Sequence, residues 1–189
     1  MMAGLITMCI LADAPCEVKQ NVFIIPRIKR EESIQFVCKS FLSAKKFDKS
    51  FYILWNKPCP LPCIPFYVIT GTLHGCRTGE AKITKGYNLK ARHVIHTVGP
   101  VYSNGRQGEP ELLAACYRNS LALAVENGLK TIAFPLISTG VYGYPLEEAT
   151  PIALREIKAF LETHPNFERV IVACFSRKAY DLYMQLTME

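Results

Sequence analysis

The chain has no apolar run long enough to cross a membrane, no internal repeat and no low-complexity tract. A helical membrane span, a solenoid, a collagen-like rod and whole-chain disorder are therefore not expected. Strong charge of one sign is also missing. The 22 basic and 16 acidic residues leave +6 over 189 residues, too mild to indicate a nucleic-acid partner. The apolar stretch from Ala3 to Ala12 is short and no basic residue precedes it, so it does not read as a secretory signal. Eight cysteines at irregular spacing, with Cys116 and Cys174 inside apolar periodic segments, do not form a disulfide framework. Reduced thiols fit better, and an intracellular location in cytoplasm, nucleus or mitochondrion is expected. What the chain does have is a 50% hydrophobic composition, enough to bury one domain's core, and length for one domain plus an appendage.

Composition divides the chain near residue 72. No glycine lies between Gly4 and Gly71, and nine of the eleven glycines fall in residues 73–189. Residues 1–72 hold five of the eight cysteines and six of the twelve prolines. This divergent N-terminal segment reads poorly. Val22 to Ile25 and Tyr52 to Trp55 are strand candidates. Glu31 to Ala44 has helical spacing, with Ile34, Val37, Cys38 and Phe41 on one face. Lys57 to Pro65 carries four prolines, which excludes a helix or a central strand. Within it, Cys59 and Cys63 have no second ligand pair, so a Pro-rich loop is expected and no metal. The basic groups around Arg27 to Arg30 and Lys45 to Lys49 read as solvated surface.

Residues 73–189 read clearly as alternating elements. Strands are expected at Ala81–Thr84, His93–Val98, Thr131–Phe134 and Arg169–Phe175. Helices are expected at Glu109–Asn127, stopped by Gly128, and at Glu147–Thr163, with a last helix capped by Ser176 and running through Met184. This order predicts an α/β layered domain with a mostly parallel central sheet. His93 and His96 lie on a strand and read as sheet cover, and Cys174 as a buried inert thiol.

One segment carries chemistry: Ile137-Ser138-Thr139-Gly140-Val141-Tyr142-Gly143-Tyr144-Pro145, between a buried strand and an amphipathic helix. Ligands of open α/β sheets sit beyond the carboxyl ends of the strands. Two glycines allow a close backbone approach, and successive N–H groups in such a turn make an anion-binding concavity next to a helix N-terminus. That suits a phosphate or diphosphate held without lysine or metal. The segment is neither a Walker loop nor a dinucleotide fingerprint, because both spacings are absent. On physics alone an ordinary strand-to-helix turn remains an equal reading.

The wording is more specific. Gly75-Cys76-Arg77-Thr78-Gly79-Glu80-Ala81-Lys82-Ile83-Thr84, His93 to Pro100 (HVIHTVGP) and Ala133 to Pro145 (AFPLISTGVYGYP) occur in order. On these words residues 74–186 resemble the macro domain family, closest to its ADP-ribosyl-hydrolase and O-acetyl-ADP-ribose deacetylase branch. The resemblance implies a three-layer α/β fold, ADP-ribose or an ADP-ribosylated protein as partner, and no cofactor or metal. It implies that Ser138, Thr139, Gly140, Val141 and Tyr142 wrap the diphosphate and distal ribose. It implies that Phe175 stacks on the adenine, a contact worth about 1–3 kcal/mol.

The family's upstream words are missing. The resemblance calls for an Asp-Ile pair, a Val-Asn-Ala-Ala-Asn run, and a glycine run leading to Val-Asp-Gly. None occurs in residues 1–72. The break near Leu73 is abrupt, as an alternative first exon, a frame disruption or a faulty gene model would make it. No catalytic residue is therefore assigned, and whether the chain is an enzyme stays open. ADP-ribose binding with weakened or lost catalysis is the first expectation. An active mono-ADP-ribosyl-protein hydrolase or deacetylase, and a non-binding remnant, are the alternatives. Loss of a general base alone costs about 10²–10⁴ in rate.

Overall fold

The computed structural model describes residues 8–12, 34–38, 75–87 and 91–188. Among these residues β3 (Ala81–Lys85) and β4 (His93–Thr97) form an antiparallel hairpin that pairs Ile83 with Ile95. The seven residues 86–92 between them are too few for a crossover, so this pair cannot be parallel. Helix α1 (Glu109–Glu126) follows, burying Leu113, Cys116, Tyr117, Leu121 and Ala124 on one face. It ends as its sequence indicates. Gly128 takes a φ of 66°, and Leu129 N–H returns to Ala124 O at 2.9 Å, a left-handed helix stop.

Strand β5 (Thr131–Pro135), helix α2 (Leu146–Thr163), strand β6 (Arg169–Cys174) and helix α3 (Arg177–Met188) complete the alternating order. Ser176 caps α3 through Oγ, which accepts Ala179 N–H at 3.1 Å. These boundaries agree with the expected ones to within a few residues.

The N-terminal segment contributes β1 (Met8–Ala12) and β2 (Ile34–Cys38). The sheet order is β2-β6-β5-β1-β4-β3. β5 and β6 are parallel, β2 joins β6 in parallel, and β1 runs antiparallel to both β4 and β5. Hence β2, β6, β5 and β4 point one way, and β1 and β3 the other. The expected predominance of one direction holds for the strands. The pairing itself is mixed, because the reversed β1 is inserted between β5 and β4.

The helix expected over Glu31–Ala44 is corrected: residues 34–38 are strand β2. Ile34, Phe36 and Cys38 also alternate, and pairing with β6 outweighs a helical spacing that rested on four residues. The strand candidates Val22–Ile25 and Tyr52–Trp55, and the Lys57–Pro65 loop, lie outside the described residues.

Helix α1 packs on β3, β4 and β5, α3 packs on β2 and β6, and α2 touches both helices. Among the described residues these helices form one layer over the sheet. Phe134, Ile137, Ile157, Val170 and Val172 are at most 1% exposed and sit between the layers. Each such side chain contributes about 1.5–3 kcal/mol on burial.

Candidate ligand-binding site

Because β4, β5 and β6 point the same way, their carboxyl ends share one edge of the sheet. Three segments leave that edge together: Val98-Gly99-Pro100 after β4, the loop 136–145 after β5, and Phe175 after β6. The register pairs Pro135 with Ala173, so Phe175 stands level with Ile137, at the root of the loop. Phe175 is half-buried. The six residues assigned to a ligand on sequence grounds are therefore on one loop and on the neighbouring strand end.

The loop folds on itself with few bonds. Tyr144 N–H donates to Ser138 O at 3.0 Å, and Gly143 N–H donates to Gly140 O at 2.9 Å with Gly143 at φ 69°. Thr139 Oγ donates to Leu136 O at 3.3 Å. Among the described residues the N–H groups of Thr139, Gly140 and Val141 meet no backbone acceptor. Gly140 and Val141 are exposed. A run of unpaired amides on a turn at this end of the sheet can receive an anion.

Ser138 differs from its neighbours. It is 2% exposed, takes a φ of 63°, and its Oγ has no hydrogen-bond partner among the described residues. Left-handed backbone costs a non-glycine residue about 1–2 kcal/mol. Gly99 lies against it: a Cβ on Gly99 would stand 2.2 Å from Ser138 Oγ and 2.7 Å from Ile137 Cγ2. Only glycine fits there, so the β4 exit and the loop root approach backbone to side chain.

A second loop braces the first, and sequence reasoning missed it by treating Gly99-Pro100 as a turn and nothing more. Tyr102 N–H donates to Tyr142 O at 2.9 Å. The Tyr102 hydroxyl donates to the Glu148 carboxylate at 3.1 and 3.2 Å, and its ring lies 4.8 Å from that of Tyr144. The bracing loop is itself held by Glu109. Its carboxylate accepts N–H groups from Ser103, Asn104, Gly105 and Gln107 at 2.6–3.3 Å. Glu109's own amide and these loop amides hold its carboxyl at about 2, below the ordinary 4.5.

Helix α2 begins at the far end of the anion loop, but Glu147 and Glu148 occupy its first turn. Glu147 is paired with Lys178 at 2.6 Å, and Glu148 takes the Tyr102 bond. The helix N-terminus is thus already met by carboxylates, and attraction for an external anion falls to the loop amides. His96 sits away from this chemistry. It is 2% exposed, and its Nε2 lies 3.0 Å from Thr84 Oγ. Burial holds its imidazole down at about 4, so it covers the sheet as a neutral ring. Cys174 is buried as expected.

The macro domain family model matches residues 69–153. A macro domain-containing protein of Chlorobaculum tepidum is 58% identical over 113 residues, covering 60% of this chain and 66% of its own length. A macro domain-containing protein of Cupriavidus necator is 49% identical over 117 residues, covering 62% of this chain and 68% of its own. The chain belongs to the macro domain family. Its match to the C. tepidum protein is just under two thirds of that relative's length. The crystal structure of a Trypanosoma brucei macrodomain in complex with ADP-ribose superposes with a TM-score of 0.55 at 49% identity. That match covers 60% of this chain and 47% of the other. Within this macro domain the family match takes in β3, β4, α1, β5 and the whole anion loop. β1 and β2 precede it, and Phe175 follows it.

Proposed function

We propose that this macro domain binds ADP-ribose, with the diphosphate and distal ribose on Ser138–Tyr142 and the adenine against Phe175, and that it turns substrate over slowly or not at all. The observation that carries the reading is the loop after β5: at the carboxyl edge of the sheet the amides of Thr139, Gly140 and Val141 meet no backbone acceptor among the described residues. Phe175 stands level with the loop's root one strand away. The T. brucei macrodomain's ADP-ribose complex supports the same ligand for a chain 49% identical to it. An ADP-ribosylated protein is the natural larger ligand, since the loop presents its open face to solvent.

The direction of β1 supports weak catalysis. Met8 pairs with Thr97 and Ala12 with His93, so the end of β1 at the site is the strand's beginning. The family resemblance places an Asn-containing run where a strand leaves the sheet at the site. β1 leaves the sheet at the opposite edge. Met1 to Thr7, the residues that lead into it, contain no carboxylate, amide or imidazole side chain. A water-activating base is then missing from this strand, which fits a rate lower by about 10²–10⁴ than a competent relative.

Calorimetric titration of ADP-ribose into the full chain tests the proposal, with Gly140→Glu as the control. Saturable binding abolished by the substitution is the expected result. No heat from a folded chain would sink it. Release of ADP-ribose from a modified protein at a rate like that of an intact family hydrolase would overturn the catalytic half alone.

A further inference from the structure

Ser138 carries two costs at the root of the anion loop. It is a non-glycine residue at φ 63°, and it buries a hydroxyl with no partner among the described residues. Glycine would remove both, and the described chain uses glycine at six other positive-φ positions. Here it places a Cβ and a hydroxyl instead, wedged beneath Gly99, where a further Cβ would lie 2.2 Å from the Ser138 oxygen. Strain and orphaned polar groups of this kind persist where the surroundings over-determine them, and they cluster at functional sites.

We propose that Ser138 is a positioning residue. Its side chain, clamped under Gly99, locks the left-handed turn that points the Thr139, Gly140 and Val141 amides outward. That strain is the preorganisation of the anion loop. Glycine at 138 would let the loop sample both signs of φ, and the cost of ordering it would fall on ligand binding. The ligand named here rests on the ADP-ribose reading above; the conformational role does not.

The test compares wild type with Ser138→Gly, which removes wedge and strain, and Ser138→Ala, which keeps the Cβ wedge and removes only the hydroxyl. Three quantities are measured on each: backbone order parameters of residues 139–142 without ligand, Tm, and ADP-ribose affinity by calorimetry. Ser138→Gly is expected to raise Tm by about 2–4 °C, to lower the order parameters, and to weaken ADP-ribose about three- to fivefold. Ser138→Ala is expected to keep the order parameters, hold Tm at or above wild type, and stay within about twofold in affinity. A Gly variant with unchanged order parameters, with undiminished affinity, or less stable than wild type overturns the proposal. A wild type that binds no ADP-ribose sinks the ligand reading, and the order parameters and Tm still decide the role of Ser138.

Discussion

At the scale of single residues, His96 links burial to pH. Folded, its imidazole takes a proton only near pH 4 because of desolvation; unfolded, it does so near 6.5. Between these values the unfolded chain binds more protons, so stability is full above pH 6.5 and falls as the pH drops toward 4. The expected loss from this one group is about 2 kcal/mol between pH 7.5 and 5. Denaturant unfolding at the two pH values, on wild type and on His96→Gln, measures it: the variant should lose less stability on acidification by about that amount. An equal loss in both would mean that His96 titrates normally in the folded chain. The anion-loop residues illustrate what is legible at this scale. Gly140 and Gly143 mark a loop that allows a close backbone approach in the sequence, and Gly143 takes a positive φ of 69°. The left-handed Ser138 could not be read, because serine carries no local signal for positive φ; the residue it packs against, Gly99, lies 39 positions earlier in the chain.

At the scale of elements, several loop amides between β4 and α1 converge on one carboxylate. Glu109 gathers four loop amides, and a glutamine there has one acceptor oxygen and no charge to hold them. Glu109→Gln is expected to lower Tm by about 2–4 °C and to loosen Tyr102 from the anion loop. ADP-ribose affinity would then fall along with Tm. The pH signature also differs from that of His96. The Glu109 carboxyl is held at about 2 by its own amide and those of the loop, against an ordinary value near 4.5. Its contribution is therefore full above pH 4.5 and is lost as the pH falls toward 2. Thermal melts from pH 6 to 2.5 should show the variant's deficit shrinking only in the lower half of that range; a deficit constant with pH would exclude the carboxylate as its cause. The helices and strands of residues 81–188 were legible because their apolar period is set by one packed face each. β2 was not. A stretch of five residues with Ile34, Phe36, Val37 and Cys38 satisfies both periods, and the choice between them is made by the partner strand β6, far away in sequence.

At the scale of the whole molecule, the N-terminal segment does more than precede a macro domain. β1 is the strand between β5 and β4, so the sheet built by the family-like residues is completed from within by a strand that the family match does not include. Without it, β5 and β4 would each present an unpaired edge over an apolar core, and such edges pair with other chains. β2 matters less by this argument, because it closes an outer edge beside β6. A chain of residues 75–189 is therefore expected to aggregate or to lack a cooperative thermal transition, whereas the 189-residue chain unfolds in a single one. Size-exclusion chromatography and calorimetry on the two chains decide this. A monomeric, cooperatively melting 75–189 fragment would mean that β5 and β4 can pair directly and that β1 is dispensable. Loss of folding would mean that the reversed strand is part of the domain's core. The same reversal that leaves the site without a base on this strand would then be what keeps the anion loop and its brace in place.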